Sequence, residues 1–160
     1  NLLSRLPQSE KLHDRRLELA RRAYKISQET PDFDPFLKLK FLNDLAANLS
    51  KAYMIQKEGI SKEEILTLFK QLVDEVLRSK NVNEYHAIYL INASDFDLHQ
   101  KQYDAAIKLL YKAESIARAC HKKDQAAKTL KKIAVIEEAR GNSLKAKELN
   151  EEAAKLEAAP

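Results

Sequence analysis

Four histidines, one cysteine and a set of clustered basic side chains are the residues of this 160-residue chain whose types could do chemistry. His13, His86, His99 and His121 stand singly, without the His-Glu-x-x-His spacing or the cysteine-spaced set that would close around a metal ion. Cys120 and His121 are adjacent, and neighbouring side chains on a helix diverge by about 100°, which does not make a nucleophile and its base. Asp95 and Asp97 point to different sides of their helix for the same reason. The two glycines, Gly59 and Gly141, are far apart, so no glycine-rich loop is available to cradle a phosphate. The expectation is therefore a protein that is not an enzyme and holds no metal or other cofactor.

Other side chains fit recognition better than catalysis. Tyr85, Tyr89, Asn92, Phe96 and His99 follow one another at intervals of four, three, four and three, which places them on a single helical stripe. Aromatic rings with polar tips suit a recognition groove, and they suit packing between helices equally well. Arg16 lies within the apolar stripe of the first helix, four residues after Leu12 and four before Ala20. It either packs its stem and carries its charge out to water, or meets a carboxylate or ligand. Lys128, Lys131 and Lys132 cluster opposite Leu130, Ile133 and Ala134, either to grip an acidic peptide or as a solvated face. On the fourth helix Ile88, Ile91 and Asp95 occupy the corresponding side, without a matching lysine. Arg15, Arg21, Arg22 and Lys25 alternate with Asp14 and Glu18 and read as a solvated face.

The elements that must position these residues are helical from end to end. A first helix runs from about Ser9 to Gln28 and stops at Thr30-Pro31-Asp32-Phe33-Asp34-Pro35. Asp34 caps the second, with Pro35 in its first turn, and this helix runs to Glu58-Gly59. Ser61-Lys62-Glu63-Glu64 is a capping box opening the third, which carries Ile65, Leu68, Phe69, Leu72 and Val76. A fourth helix spans about Glu84 to His99, a fifth Tyr103 to Cys120, a sixth Asp124 to Arg140 and a seventh Ser143 to about Leu156, before a frayed Glu157 to Pro160. The last helix carries Glu148, Glu151, Glu152, Lys155 and Glu157, polar enough to cap a stack. Links this short force neighbouring helices antiparallel.

Composition agrees. Two glycines and four prolines leave little material for hairpin turns, while 44% hydrophobic and 32% charged residues suit amphipathic helices. Apolar runs such as Ala87 to Ala93 fall well short of the roughly 20 residues of a membrane span. The net charge of +4 is spread over mixed signs, which gives no phosphate-tracking stripe and no expectation of nucleic-acid binding. A single cysteine identifies no redox compartment. The chain begins at Asn1, read as a processed form or a piece of a larger protein, so the compartment stays open between cytoplasm and, after removal of a signal peptide, periplasm.

Two stretches share a pattern at an offset of 40 residues. Tyr103-Asp104-Ala105-Ala106-Ile107 and Ala113 follow Leu90 and Ala93. Gly141-Asn142-Ser143-Leu144-Lys145-Ala146 and Ala153 follow Leu130, Ile133 and Ala134. Ala106 to Ala113 and Ala146 to Ala153 are both seven residues, and alanine at such places lets helix axes approach closely. On these residues the chain resembles the tetratricopeptide repeat family over about residues 84–157, with Lys101 where the family has a turn glycine, Ser143 in place of its aromatic residue, and a period longer than its 34 residues. The resemblance implies an all-α, right-handed stack of antiparallel helix pairs, about seven helices in one domain over residues 1–160. It also implies binding of a protein or peptide partner along a face formed by the first helix of each pair, with Arg16, Tyr85, Tyr89, Asn92, Phe96, His99, Lys128, Lys131 and Lys132 as candidate contacts. Leu2-Leu3-Ser4-Arg5-Leu6-Pro7 with Leu17-Glu18-Leu19-Ala20 is similar to the start of extracytoplasmic repeat domains of bacterial sensor kinases and regulators. That implies an alternative function as the sensory segment of a signalling protein.

Overall fold

The computed structural model describes residues 8–158, with side chains from Leu12 onward. Among these residues there are seven helices and no strand: α1 (Gln8–Glu29), α2 (Pro35–Met54), α3 (Lys62–Arg78), α4 (Glu84–His99), α5 (Tyr103–Ala119), α6 (Lys123–Ala139) and α7 (Ser143–Ala158). The all-α expectation holds, and no helix among the described residues is long and apolar enough to cross a membrane. The motif Leu2 to Pro7 and the terminal Ala159 and Pro160 lie outside the described residues. The chain divides into two compact units, residues 1–75 and 76–160.

In the first unit, α2 is the most deeply buried helix, with Leu42, Leu45, Ala46, Leu49 and Ala52 turned inward. Its start is the expected one: the Asp34 carboxylate accepts from the Leu37 N–H at 2.8 Å, and Pro35 occupies the first turn, where a missing N–H costs nothing. Its end differs. Gln56 takes a positive φ of 58°, and the Lys57 N–H reaches back to the Ala52 carbonyl at 3.0 Å, which closes α2 at Met54, ahead of Gly59. The Ser61 cap is half as expected: its hydroxyl accepts from the Glu64 N–H at 3.2 Å and donates to the Glu63 carboxylate. The Glu64 carboxylate instead takes the Arg21 guanidinium on both oxygens, at 2.6 and 3.0 Å, which ties α3 to α1. The Tyr24 hydroxyl, donating to Gln71 at 3.3 Å, repeats that tie.

The second unit is built on a stricter rule. Lys101, His121 and Gly141, at intervals of twenty residues, take positive φ values of 60°, 56° and 84°. Each donates its N–H to the carbonyl three residues back, at 2.9 Å, and the next residue donates to the carbonyl five back, at 2.8 Å, in all three turns. These paired bonds satisfy carbonyls that a helix end leaves orphaned, and they reverse the chain within three residues. Because the reversals are identical, every following helix enters in the same register. Ala106, Ala126 and Ala146, five residues past each reversal, are 0%, 0% and 3% exposed. Around them Leu110 of α5, Leu130, Ile133 and Ile136 of α6 and Leu149 and Ala153 of α7 form one apolar cluster. The 40-residue pattern read from the sequence thus corresponds to two hairpins, α4–α5 and α6–α7, whose matching positions (Leu90 and Leu130, Ala93 and Ile133, Ala113 and Ala153) are all buried.

Lysine and histidine carry a Cβ that the left-handed conformation disfavours by about 1 kcal/mol, which glycine avoids. Lys101→Gly and His121→Gly should each raise the free energy of urea unfolding by up to about 1 kcal/mol, and Gly141→Ala should lower it by a similar amount. The last follows from backbone strain alone, since a Cβ at Gly141 meets nothing within 4 Å. Unchanged midpoints in all three variants would remove these turns as determinants of the fold.

Candidate functional site

The start of α6 is the place where the second unit combines an opening with a cluster of charged side chains of both signs. Lys122 precedes the helix and makes no side-chain cap bond, and Asp124 in the first turn places a carboxylate beside the leading N–H groups of α6. A cleft of about 350 Å³ opens there, with Glu84 and Ile88 of α4 on one side, Lys122 and His121 in the turn, and Lys123, Asp124 and Lys128 of α6 on the other. Ile88, 40% exposed, supplies an apolar floor. Lys122 is bound to Glu84, and that hydrogen-bonded carboxylate raises the ammonium pKa above its ordinary value. Lys128 is exposed on the cleft wall. Such an arrangement can seat a carboxylate beside a small apolar group. Among the described residues no cluster of histidine, cysteine, aspartate and glutamate could hold a metal ion.

The sequence-derived candidates are distributed unevenly around this cleft. Of the three lysines only Lys128 lines it: Lys131 reaches the Glu157 carboxylate of α7 at 2.7 and 2.9 Å, and Lys132 pairs with Asp95 of α4. The aromatic stripe is split by depth. Tyr89 and Phe96 are 2% and 1% exposed and belong to the interior, whereas Tyr85 and His99 are exposed and Asn92 is half-buried. The groove reading of Tyr89 and Phe96 is therefore corrected: these two rings bury large apolar areas in the interior, while Tyr85 and His99 at the ends of the same stripe stay at the surface. Arg16 lies in the first unit and is exposed, so its charge reaches water without a buried partner.

Glu84, Ile88 and Lys122 were not singled out as a site by residue type. The signal that finds them is the repeat itself, because Ile88 and Lys128 are equivalent positions of α4 and α6, 40 residues apart, as are Glu84 and Asp124. The start of α4 is held by a reciprocal cap. The Asn83 side chain accepts from the Tyr85 N–H at 3.0 Å, while His86 Nδ1 accepts from the Asn83 N–H at 2.9 Å. His86 is 4% exposed and packs edge-on against Tyr89 at 6.1 Å. Burial pushes its pKa below the ordinary value.

A histidine kept neutral in the fold stabilises it fully above the unfolded pKa of about 6.5, and that stability is lost as pH falls below this value toward the folded pKa. The urea midpoint should therefore decline from pH 7.5 to pH 5, more steeply than in His86→Gln, whose amide oxygen can take the same N–H without titrating. Parallel pH profiles for the two proteins would contradict this role of His86.

No protein-family model matches the chain, and no curated protein matches it. Among solved structures it is similar to BtubC (BKLC) from P. vanneervenii, with a TM-score of 0.66 and 12% sequence identity over 90% of this chain. The match spans 56% of the BtubC chain, and at this identity the likeness is one of fold.

Proposed function

We propose that the chain is a noncatalytic, tetratricopeptide-like repeat module that binds an acidic protein segment in the cleft at the start of α6. The observation that carries this reading is the pairing of Ile88 and Lys128 across one opening from equivalent positions of successive hairpins. Repeat arrays grow by stacking, so each interval adds one similar strip of surface, and a ligand lying across the strips meets a succession of side chains. Here the succession is apolar, then cationic. Lys122 is engaged by Glu84, and Asp124 stands in the first turn of α6, so Lys128 is the cation on which an aspartate, glutamate or terminal carboxylate of the bound segment is taken. The likeness to BtubC supports the helical architecture of this reading and adds nothing about a ligand.

The test is fluorescence anisotropy with two labelled peptides, one in which Asp or Glu alternates with small apolar residues and the same peptide with Asn and Gln in place of the acids. The acidic peptide should bind, more weakly at high salt, and Lys128→Glu should weaken it at least about tenfold, or about 1.4 kcal/mol. Ile88→Asp should weaken both peptides. Equal binding of the two peptides, or full binding by Lys128→Glu, would overturn the assignment.

A further inference from the structure

The surface on which α6 rests is itself half of a repeating device. Leu98, Ile107 and Leu110 of the α4–α5 hairpin pack against the apolar cluster to which α6 contributes. Forty residues later the same positions fall on α6–α7 as Glu138, Lys147 and Asn150, around an open hollow of about 860 Å³. Its floor is apolar and made of small side chains, Val135, Ala146 and Ala154, and its rim carries Glu138 and Glu151 with Lys147 between them in sequence. Val135 is 70% exposed, although its neighbour Ala134 is buried. The hollow therefore keeps the shape of a helix seat and exchanges part of its apolar rim for polar and charged groups, in which the two carboxylates of Glu138 and Glu151 outnumber the ammonium of Lys147. A helix that fits it must present aliphatic side chains flanked by basic ones.

The chain exposes such a helix at its other end. Leu12, Leu19 and Ile26 of α1 are 49%, 55% and 56% exposed, and their spacing of seven sets them along one line, about 21 Å long at 1.5 Å per residue. Arg15, Arg16 and Arg22 border that line and are exposed as well. With 16 residues, α7 is about 24 Å long and matches it.

We infer that α1 of one copy docks in the α6–α7 hollow of a second copy, so that the protein self-associates head to tail. Aliphatic side chains of α1 lie on Val135 and the alanine floor, and its arginines meet Glu138 and Glu151. The two surfaces differ, so the contact is heterologous, and each added copy leaves one α1 and one hollow open to extend the chain. The charged rim makes the contact weaker than the internal seat of α6 and sensitive to salt. This association involves neither Lys128 nor the cleft at the start of α6, and it stands or falls separately from peptide binding.

Sedimentation velocity of the 160-residue chain over a concentration series tests the inference. The weight-average mass should rise beyond that of a dimer with concentration and fall when salt is added. Leu19→Glu and Val135→Glu change exposed side chains and should each remain monomeric with unchanged helical circular dichroism; Ile26→Glu and Ala154→Glu serve as second variants of the same two surfaces. An equimolar mixture of Leu19→Glu and Val135→Glu keeps one intact α1 and one intact hollow, and should form a one-to-one dimer that does not grow. A wild-type chain monomeric throughout, self-association by either variant alone, or a mixture that stays monomeric would each overturn it.

Discussion

The second unit depends on how a helix end is closed. A terminating helix leaves carbonyls without partners, and here each of three helices satisfies them with the same pair of backbone bonds around a left-handed residue, Lys101, His121 or Gly141. Identical closure fixes identical entry of the next helix. That is why an alanine arrives at the closest approach five residues later in every case, and why the apolar cluster of α5, α6 and α7 is continuous. Had the three turns differed, the same side chains would meet at different heights and the 40-residue equivalence of the hairpins would be lost.

Surface charge follows from that register. Arg118 of α5 lies between Glu114 on its own helix and Glu152 on α7, with the hydrogen bond it donates to Glu114 foremost in raising its pKa. Arg140 in the last turn meets Asp104 of α5 at 3.0 Å, Lys132 meets Asp95, and Lys131 meets Glu157. Exposed pairs of this kind contribute little stability each, on the order of 0 to 1 kcal/mol. Their larger effect is on recognition, because a lysine engaged with a neighbouring helix presents less charge to a ligand. Lys128, on the wall of the cleft, keeps its charge directed outward, and this separates it from the two lysines beside it.

Much of the fold was legible in the sequence because its signals were local. Asp34-Pro35 and the Gly141-Asn142 turn placed helix ends through capping chemistry that acts over a few residues. The close of α2 was not, since Gln56 adopts a conformation for which glycine is the usual signal and Gly59 drew the boundary outward. Lys101 and His121 were hidden for the same reason. The candidate site was read less well. Periodicity finds the stripe of Tyr85, Tyr89, Asn92, Phe96 and His99, yet a period of 3.6 residues does not say whether a stripe faces the interior or a ligand, and Tyr89 and Phe96 face the interior. Likewise Lys128, Lys131 and Lys132 are alike in sequence, and only the positions of Asp95 and Glu157 on other helices distinguish them.

The shared register of the three turns can be measured directly by amide hydrogen exchange, resolved residue by residue by NMR. The amides of Gln102, Lys122 and Asn142, each one residue past a left-handed position, donate to carbonyls five residues back, so the account predicts strong and similar protection at all three, along with Ala106, Ala126 and Ala146. Exchange of Gln102, Lys122 and Asn142 at the rates of an unstructured chain, while the helices around them stay protected, would contradict it.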